Sequence, residues 1–246
     1  MPDDEHVPVL TAEDVVAGYL PGVDVLRGCS LRVEPGELVG VIGPNGAGKS
    51  TLIKAVFGLL RVRGGIVRLL GEDVTNRPAH EQVRRGVGYV PQLQNVFPAL
   101  TVEENLRMGI YLRPKDFARR AAKLEDLFPV LAARRKQKAG SMSGGERQML
   151  AMARALMMEP RLLLLDEPSA GLSPAHQDLV FERVKGINGA GVAVLMVEQN
   201  ARRCLQICDR GYVLDQGRNA HTGTGSALLH DKKVIELYLG TLARVR

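Results

Sequence analysis

The sequence contains no tryptophan and only three cysteines among its 246 residues. An odd number of cysteines argues against a disulfide framework of the kind that holds small secreted domains together. Cys204 and Cys208 lie four residues apart on a predicted helix, but Cys29 is remote and no clustered histidines complete a zinc set. We therefore expect three reduced, buried thiols.

Long hydrophobic runs are also missing. No unbroken apolar run approaches the roughly 18–20 residues that a membrane-spanning helix needs. The first ten residues, MPDDEHVPVL, are acidic and lack an apolar run, which is unlike a signal peptide. The sequence therefore predicts a chain that neither crosses a membrane nor enters a secretory route by itself.

The overall composition is that of a globular protein. Hydrophobic residues make up 45% and charged residues 24% of the chain, which excludes a disordered class. The length suits one large domain or a core with a subdomain. Lysine and arginine (33) exceed aspartate and glutamate (27), which gives a net charge of +6. This excess permits an anionic partner, such as a nucleotide, nucleic acid or anionic lipid, but does not choose between them.

Short aliphatic runs alternate with longer amphipathic segments. This alternation predicts a parallel sheet with helices on both faces, in which ligands bind at the carboxyl ends of the strands. The predicted strands cover residues 39–42, 65–70, 87–90, 162–165, 192–197 and 211–214. The predicted helices of this α/β part cover residues 49–57, 174–188 and 200–208.

Between the third and fourth of these strands the sequence becomes helical. Thr101 with Glu104, and Ser143 with Glu146, have the spacing of capping boxes and predict two helix starts. A further helix is predicted over residues 116–128, with its apolar residues on one face. The expected division is a core of residues 1–92 and 151–246, with a helical block of residues 93–150 inserted into it.

A glycine-rich segment, GPNGAGKST, follows the first predicted strand and precedes a helix. Glycines let successive backbone N–H groups turn towards phosphate oxygens, Lys49 adds a positive charge, and Ser50 offers a hydroxyl to Mg²⁺. The alternative is a glycine-rich turn without a ligand. The candidate phosphate-binding residues are Gly43, Pro44, Asn45, Gly46, Ala47, Gly48, Lys49, Ser50 and Thr51, here called the phosphate loop.

Two acidic residues end the strand predicted at 162–165. Asp166 is a candidate ligand of Mg²⁺, through water, and Glu167 could accept a proton from an attacking water molecule. The alternative is a helix N-cap. The phosphate loop upstream favours phosphoryl transfer, in which two carboxylates, one cation and backbone dipoles provide most of the catalysis.

A second candidate anion site lies at residues 143–145, where a serine-capped helix begins with two glycines. A single active site has no obvious need for two phosphate-binding helix starts. A head-to-tail pair of chains would use both, because each chain would close the nucleotide site of the other.

The segment MSGGE at residues 142–146 resembles the signature of the ATP-binding cassette (ABC) family, and the resemblance extends over nearly the whole chain. It implies a P-loop NTPase (RecA-like) α/β core with an antiparallel β subdomain and an inserted α-helical subdomain. By this resemblance, the ligands are ATP and Mg²⁺. The residues that would bind the γ-phosphate of the ATP held by a partner subunit are Ser143, Gly144 and Gly145.

Two further residues are assigned by the same resemblance. Tyr19, in VVAGYLPGVDVLRGCSL, is similar to the aromatic residue that stacks on adenine; its alternative is a core tyrosine. Gln92, in GYVPQLQNVF, is similar to the glutamine that senses Mg²⁺ and the attacking water; its alternative is a plain loop amide.

The sequence departs from the family pattern at two positions. Gln199 stands where the family usually has a switch histidine, and a glutamine can donate an N–H to a phosphate but cannot carry a positive charge. We still assign Gln199 a catalytic role, with slower or differently gated hydrolysis. Ser173 stands near a position where an aspartate is common, which weakens any inference about communication through that loop.

The segments VEQN and LLLLDEPSAGLSP, with the C-terminal pattern DRGYVLDQG, resemble a narrower group, the LivF-type ATPases of branched-chain amino acid importers. This resemblance implies a second, distinct ATPase subunit, two membrane-spanning permeases and, indirectly, an extracytoplasmic solute-binding protein. A homodimer stays open. The expected location is the cytoplasmic face of the cell membrane, as a peripheral subunit.

The same resemblance implies a surface groove that receives a short permease helix. We expect it near residues 93–112, which include Val96, Phe97, Leu100 and Val102; the alternative is that these residues are simply core of the helical block.

Other functions remain as alternatives. Urea, amide and exporter ATPases share much of the pattern. A soluble ABC ATPase acting on nucleic acid could use the basic run at residues 134–138, but that run is more typical of a solvated surface, and no nucleic acid is expected.

Overall fold

The structure, a computed structural model, describes residues 7–239. It contains two β-sheets, a four-stranded antiparallel sheet in the order β2-β1-β4-β5 and a six-stranded sheet in the order β10-β9-β3-β8-β7-β6. All neighbours in the larger sheet are parallel except β9 and β10. The strands are β1 Leu10–Ala17, β2 Leu26–Val33, β3 Leu38–Ile42, β4 Val62–Leu69, β5 Glu72–Asp73, β6 Val87–Val90, β7 Leu162–Asp166, β8 Ala193–Val197, β9 Arg210–Asp215 and β10 Arg218–Thr224.

Ten α-helices pack around and between the sheets in the described part of the chain, and none of them is long and apolar enough to span a membrane. Residues 1–6 and 240–246, which the sequence assigns to the core and which include most of the N-terminal segment interpreted above, lie outside the described residues. The helices are α1 Lys49–Val56, α2 Ala79–Arg84, α3 Val102–Gly109, α4 Phe117–Glu125, α5 Pro129–Ala133, α6 Gly144–Leu156, α7 Pro174–Gly189, α8 Ala201–Ile207, α9 Gly225–His230 and α10 Lys232–Val234.

The larger sheet confirms the predicted parallel α/β architecture, except that the strand predicted at residues 65–70 lies in the antiparallel sheet as part of β4. Every residue of β3, β7 and β8 is buried, as expected for strands covered on both faces. Alternate residues point into different hydrophobic clusters: Leu163 and Leu165 belong to the cluster shared with α6 and α7, and Leu162 and Leu164 to the cluster shared with α1 and the antiparallel sheet. The carboxyl ends of these strands therefore meet at one edge.

The three cysteines are free and buried, as the sequence predicts. Cys204 and Cys208 lie against Gly40 of β3, where a β-carbon on the glycine would stand 2.5 Å from the Cys204 Sγ atom. Glycine at this position thus lets α8 approach the sheet closely.

The prediction of a helix over residues 116–128 is wrong at the C-terminal end. Helix α4 ends at Glu125, and Phe128 adopts φ −133° before Pro129 begins α5. A residue that precedes proline is sterically disfavoured in the helical conformation, so the chain turns there. Phe128 is nevertheless 1% exposed and packs into the cluster that the helical face was expected to join.

Between β6 and β7 the described chain contains helices, turns and a single bridge, but no strand. The boundary that the sequence places at residue 150 lies inside α6, which packs against both α3 and β6. The predicted division into a core and a helical block stays a prediction, and α6 is the element that would join its two parts.

Candidate nucleotide site

The phosphate loop connects the buried strand β3 to α1. Gly43, Gly46 and Gly48 have φ values of 151°, 82° and 103°, which L-residues with a β-carbon rarely adopt. A β-carbon on Gly43 would also collide with the Leu214 carbonyl oxygen. The Ala47 carbonyl accepts an N–H from Gly217, which fixes the loop against the turn between β9 and β10.

The first turn of α1 has no side-chain cap, because its N-cap residue is Gly48. Its amide groups are therefore available to an anion. Pro44, Asn45 and Gly46 are all exposed, while Thr51 is buried on the first turn of α1.

Lys49 lies inside this loop with only 4% of its surface exposed. Its Nζ atom donates to the carbonyl oxygens of Gly43 (2.9 Å) and Pro44 (3.2 Å) and lies 3.8 Å from the Glu167 Oε1 atom. Burial lowers the pKa of Lys49, and the nearby carboxylates of Glu167, Glu198 and Asp166 oppose that shift. Its hydrogen-bond acceptors are two neutral carbonyls and the Glu167 carboxylate lies 3.8 Å away, so this ammonium group is suited to bind phosphate.

Asp166 and Ser50 place a carboxylate and a hydroxyl side by side. The Ser50 Oγ atom donates to the Asp166 Oδ1 atom at 2.7 Å, and Asp166 is 3% exposed. Burial, reinforced by Asp166, raises the pKa of the neighbouring Tyr89 hydroxyl well above its usual range. The Ser50 hydroxyl and the Asp166 carboxylate are oxygen ligands of the kind that Mg²⁺ prefers, so the residues present fit such an ion.

Glu167 follows Asp166 with a left-handed backbone, φ 48°, and its amide donates to the Val197 carbonyl of β8. Its Oε2 atom accepts an N–H from Gln92 at 2.9 Å. The following helix, α7, begins at Pro174 with Ser173 as its N-cap, so the N-cap interpretation of the acidic pair is wrong. Left-handed backbone at a non-glycine residue is unfavourable and concentrates at functional sites.

The corner at residues 143–145 forms the capping box expected from the sequence. The Glu146 amide donates to the Ser143 Oγ atom (3.2 Å) and the Ser143 amide donates to the Glu146 Oε2 atom (2.8 Å), which lowers the pKa of Glu146. A β-carbon on Gly145 would collide with the His176 ring of α7. The glycine is thus already required by packing between α6 and α7.

Two other predicted site residues are exposed. Gln199 follows β8, the strand between β3 and β7, and so lies at the same sheet edge as the phosphate loop and Asp166. Tyr19 is 55% exposed, which excludes a core tyrosine, and the Lys54 Nζ atom lies 3.5 Å from its hydroxyl.

The predicted permease groove is corrected in part. Val102 is fully buried and belongs to the core of the helical block. Val96 and Leu100 are half-buried, and Phe97 is 43% exposed beneath the Arg154 guanidinium. Leu93, Met108, Tyr111 and Leu112 add exposed apolar surface on the same segment.

The sequence analysis missed Glu198. This residue directly follows the buried strand β8 and is 1% exposed, and burial raises its pKa to about 7. Its carboxylate accepts hydrogen bonds from Ser169, two residues after Glu167, and from the backbone amide of Gln199. The only signal in the sequence is an acidic residue at the end of an apolar run.

Comparisons with known proteins agree on one family. A family model described as "ABC transporter" matches residues 26–170. The chain is 45% identical to the high-affinity branched-chain amino acid transport ATP-binding protein BraG of Pseudomonas aeruginosa, over 92% of this chain and 98% of that protein. It is 43% identical to the probable branched-chain amino acid transport ATP-binding protein LivF of Archaeoglobus fulgidus, over 91% and 95%.

A solved structure shares the fold. The ADP conformation of an ATP-binding cassette of an ABC transporter superimposes with a TM-score of 0.84 at 30% identity, covering 95% of this chain and 99% of that one. The family model matches more than half of the chain, and both relatives match it nearly end to end. The chain therefore belongs to the ABC transporter family, as an ATP-binding and ATP-hydrolysing subunit.

Proposed function

We propose that this chain powers the import of branched-chain amino acids across the cytoplasmic membrane by ATP-driven closure of a pair of ATPase subunits. The observation that carries the chemistry is the contact of Glu167 with both Lys49 and Gln92 at one sheet edge. The choice of solute is supported by the two relatives named for branched-chain amino acid transport.

In this proposal the phosphate loop binds the triphosphate of ATP, and Lys49 exchanges its carbonyl partners for phosphate oxygens. Tyr19 stacks on the adenine ring. Ser50, Gln92 and Asp166, the last through water, hold Mg²⁺, which when bound would neutralise negative charge on the phosphate oxygens.

Glu167 orients the attacking water and accepts its proton. The Gln92 amide holds one carboxylate oxygen of Glu167, which fixes the direction of the other. Gln199 donates an N–H to the terminal phosphate. Because this amide is neutral, it stabilises developing charge less than the usual histidine could, and we expect slower or differently gated hydrolysis at this site.

The corner formed by Ser143, Gly144 and Gly145 binds the γ-phosphate of the ATP held by a partner subunit. The partner in this proposal is a second, distinct ATPase, and a homodimer is the alternative. Hydrolysis would remove the phosphate that both chains bind and so reopen the pair.

Two permease subunits would dock beside the helical block, fed by an extracytoplasmic solute-binding protein, so that this chain is peripheral on the cytoplasmic face of the membrane. The charged residues that line a groove between α2, the start of β7 and the segments after α3 and α6 are Arg84, Arg85, Arg113, Arg161, Glu72 and Glu159. Within residues 7–239, only Arg85 of these four arginines forms an ion pair, with Glu72. Glu72 and Glu159 both pair with basic residues of the chain, so the groove keeps an excess of positive charge. Charge complementarity therefore favours an acidic permease segment.

The ion pairs of the basic run at residues 134–138 disfavour a role in nucleic-acid binding. Arg134 pairs with Glu146 at 2.7 Å, and Arg135 pairs with Glu125, so these charges are already engaged within the chain. An exporter ATPase is the alternative within the family, since the lipopolysaccharide export protein LptB of Haemophilus influenzae is 36% identical. Identifying the permeases that co-purify with this chain would decide between import of branched-chain amino acids and export.

Replacing Glu167 by glutamine tests the chemistry. The variant Glu167→Gln should keep ATP affinity but lose hydrolysis by at least about a hundredfold, because the amide cannot accept a proton. With ATP bound and not turned over, the closed pair should accumulate and be visible by light scattering. Membrane vesicles that carry the complete transporter should lose ATP-dependent uptake of labelled leucine.

The matched control is Glu182→Gln, which makes the same change at an exposed position of α7. It should behave as the parent protein. Hydrolysis by Glu167→Gln at the parental rate would exclude the proposed role of Glu167. Vesicles that import urea or a short amide but not leucine, isoleucine or valine would exclude the proposed solute.

A further inference from the structure

The side chain of Glu198 lies where two loops of the site meet. The residue follows β8, and its backbone amide donates to the Val41 carbonyl of β3 at 3.0 Å, which continues the sheet. Its carboxylate turns away from solvent and accepts donors from both the loop after Glu167 and the loop that carries Gln199.

Four donors converge on this carboxylate. The Oε1 atom accepts the Ser169 amide at 2.9 Å, and the Oε2 atom accepts the Ser169 hydroxyl at 2.9 Å. The same Oε2 atom accepts the amides of Gln199 (3.1 Å) and Asn200 (3.4 Å). Ser169 stands two residues after Glu167 and is 2% exposed, so the bridge is buried at both ends.

The bridge continues towards the corner at residues 143–145. Asn200 donates through Nδ2 to Gln177 of α7 at 3.2 Å, and Gln177 donates to the Leu172 carbonyl at 3.1 Å. Leu172 in turn packs against Gly144, where a β-carbon would lie 3.2 Å from its Cδ2 atom. Glu198 thus anchors the loop at residues 169–173 between the switch position and the corner.

Connecting two loops through a buried carboxylate carries the free-energy cost of removing a charge from water. No ion pair in the described part of the chain involves Glu198, and its direct partners are three amides and one hydroxyl. A neutral or apolar residue of similar size would avoid the cost of burying a charge. Local arrangements that cost stability concentrate at functional sites, where geometry is constrained by the chemistry.

We infer that Glu198 is a positioning residue for ATP hydrolysis, whose carboxylate holds the amides of Gln199 and Asn200 in the orientation that presents the Gln199 side chain to the terminal phosphate. Through Ser169 it also ties this orientation to the position of the 169–173 loop. The inference rests on the proposed roles of Glu167 and Gln199 and adds a residue that acts through Ser169 and Gln199.

The variant Glu198→Gln separates positioning from binding. One oxygen of the carboxylate is replaced by NH₂, so an acceptor is lost while the volume is kept. In the complete transporter, at pH 8, we expect kcat for ATP to fall by about ten- to a hundredfold, because a small displacement of a catalytic group is that costly. The KM for ATP should stay within about twofold, because the phosphate loop is untouched.

Ser169→Ala provides the second arm, since it removes one hydroxyl and leaves the backbone amide in place. We expect a smaller fall in kcat, and no additional fall when it is combined with Glu198→Gln, because both changes break the same bridge. Circular dichroism and binding of a fluorescent ATP analogue verify that each variant is folded. Glu182→Gln is the matched control and should retain the parental kcat and KM.

The inference is overturned if Glu198→Gln is folded and has the parental kcat, or if kcat and KM change in equal proportion. It is also overturned if Glu198→Gln does not fold and Ser169→Ala has full activity. A normal rate for Glu167→Gln would instead refute the proposed chemistry. An inactive Glu167→Gln beside a fully active Glu198→Gln would refute only the role of Glu198.

Discussion

Among the individual residues of the site, Glu198 has a charge state that links chemistry to stability. Burial raises its pKa from 4.5 to about 7 in the folded protein. The nearby Glu167 carboxylate adds to this shift, while the hydrogen bonds from Ser169 and Asn200 oppose it. Lys49 and Cys204 are the other titratable groups whose charges couple to it.

This shift predicts how stability depends on pH. Between pH 4.5 and 7 the folded protein holds more protons at Glu198 than the unfolded chain does, so the contribution of Glu198 to the free energy of unfolding falls as pH rises. We expect the parent protein to lose up to about 3 kcal/mol relative to Glu198→Gln between pH 5 and pH 8. Urea unfolding of both proteins across this range measures the difference. A difference that does not change with pH would contradict the buried, titrating carboxyl.

The residues of the site differ in how far the sequence could predict them. The phosphate loop and the acidic pair are local: a strand, a fixed spacing and a helix are all that they need, and Ser50 and Asp166 do meet at 2.7 Å. Gln92 required a family resemblance, because it reaches Glu167 across 75 positions of sequence. Glu198 escaped prediction because its role depends on Ser169, 29 positions away, and no spacing rule connects the two.

At the scale of secondary-structure elements, the junction of α6 and α7 gives two reasons for one glycine. Gly145 is needed to admit the His176 ring, and in the proposed mechanism it also contacts the partner's phosphate. His176 is itself held by Ser173, whose Oγ atom lies 2.8 Å from the ring Nδ1 atom. The two reasons predict different outcomes when the histidine is removed.

We expect Gly145→Ala to destabilise the protein by about 1–3 kcal/mol, because the ring must leave a well-packed position. His176→Ala in the same chain should restore the stability but not the hydrolysis by the paired subunits. Thermal unfolding and ATP turnover of the single and double variants measure the two effects. Gly189→Ala, at the end of α7 with no atom within 4 Å of the added carbon, is the control and should change neither. Recovery of full hydrolysis in the double variant would show that the glycine serves packing alone.

Element boundaries were predictable where the cause is local. Both capping boxes, at Thr101 and Ser143, are formed as their spacing predicts, because the partners lie three residues apart. The amphipathic pattern at residues 116–128 extended beyond the true end of α4, since apolar periodicity outweighed the effect of Pro129. Strand β10 was not predicted: it is an edge strand with no apolar alternation, and only its pairing with β9 defines it.

Across the whole molecule, the site and the arginine-lined groove lie at opposite ends of the larger sheet's strands. The phosphate loop and Asp166 stand at carboxyl ends, whereas Arg161 precedes β7 and Arg84 and Arg85 precede β6. Arg113 and the segment after α6 complete the groove from the helical side. In the proposed mechanism a rigid α6 connects nucleotide binding to the permease, because it begins at the corner at residues 143–145 and its C-terminal end leads into the groove.

This arrangement predicts that groove charge affects assembly and not nucleotide binding. Reversing Arg113 or Arg161 to glutamate places like charges against an acidic permease segment, and we expect about a tenfold or greater loss of affinity for the permeases. The loss should shrink as salt rises, because the charges lie at the surface and are screened. ATP affinity of the isolated chain should not change, since neither residue approaches the phosphate loop. Retention of this chain on permeases purified from membranes, measured at several salt concentrations, gives the affinity.

Lys185→Glu makes the same charge reversal on the exposed face of α7 and should assemble normally. An equal loss in the Lys185→Glu control would mean that net charge governs docking. Normal assembly of both groove variants would mean that another surface binds the permeases, because a specific acidic partner would distinguish Arg113 and Arg161 from Lys185.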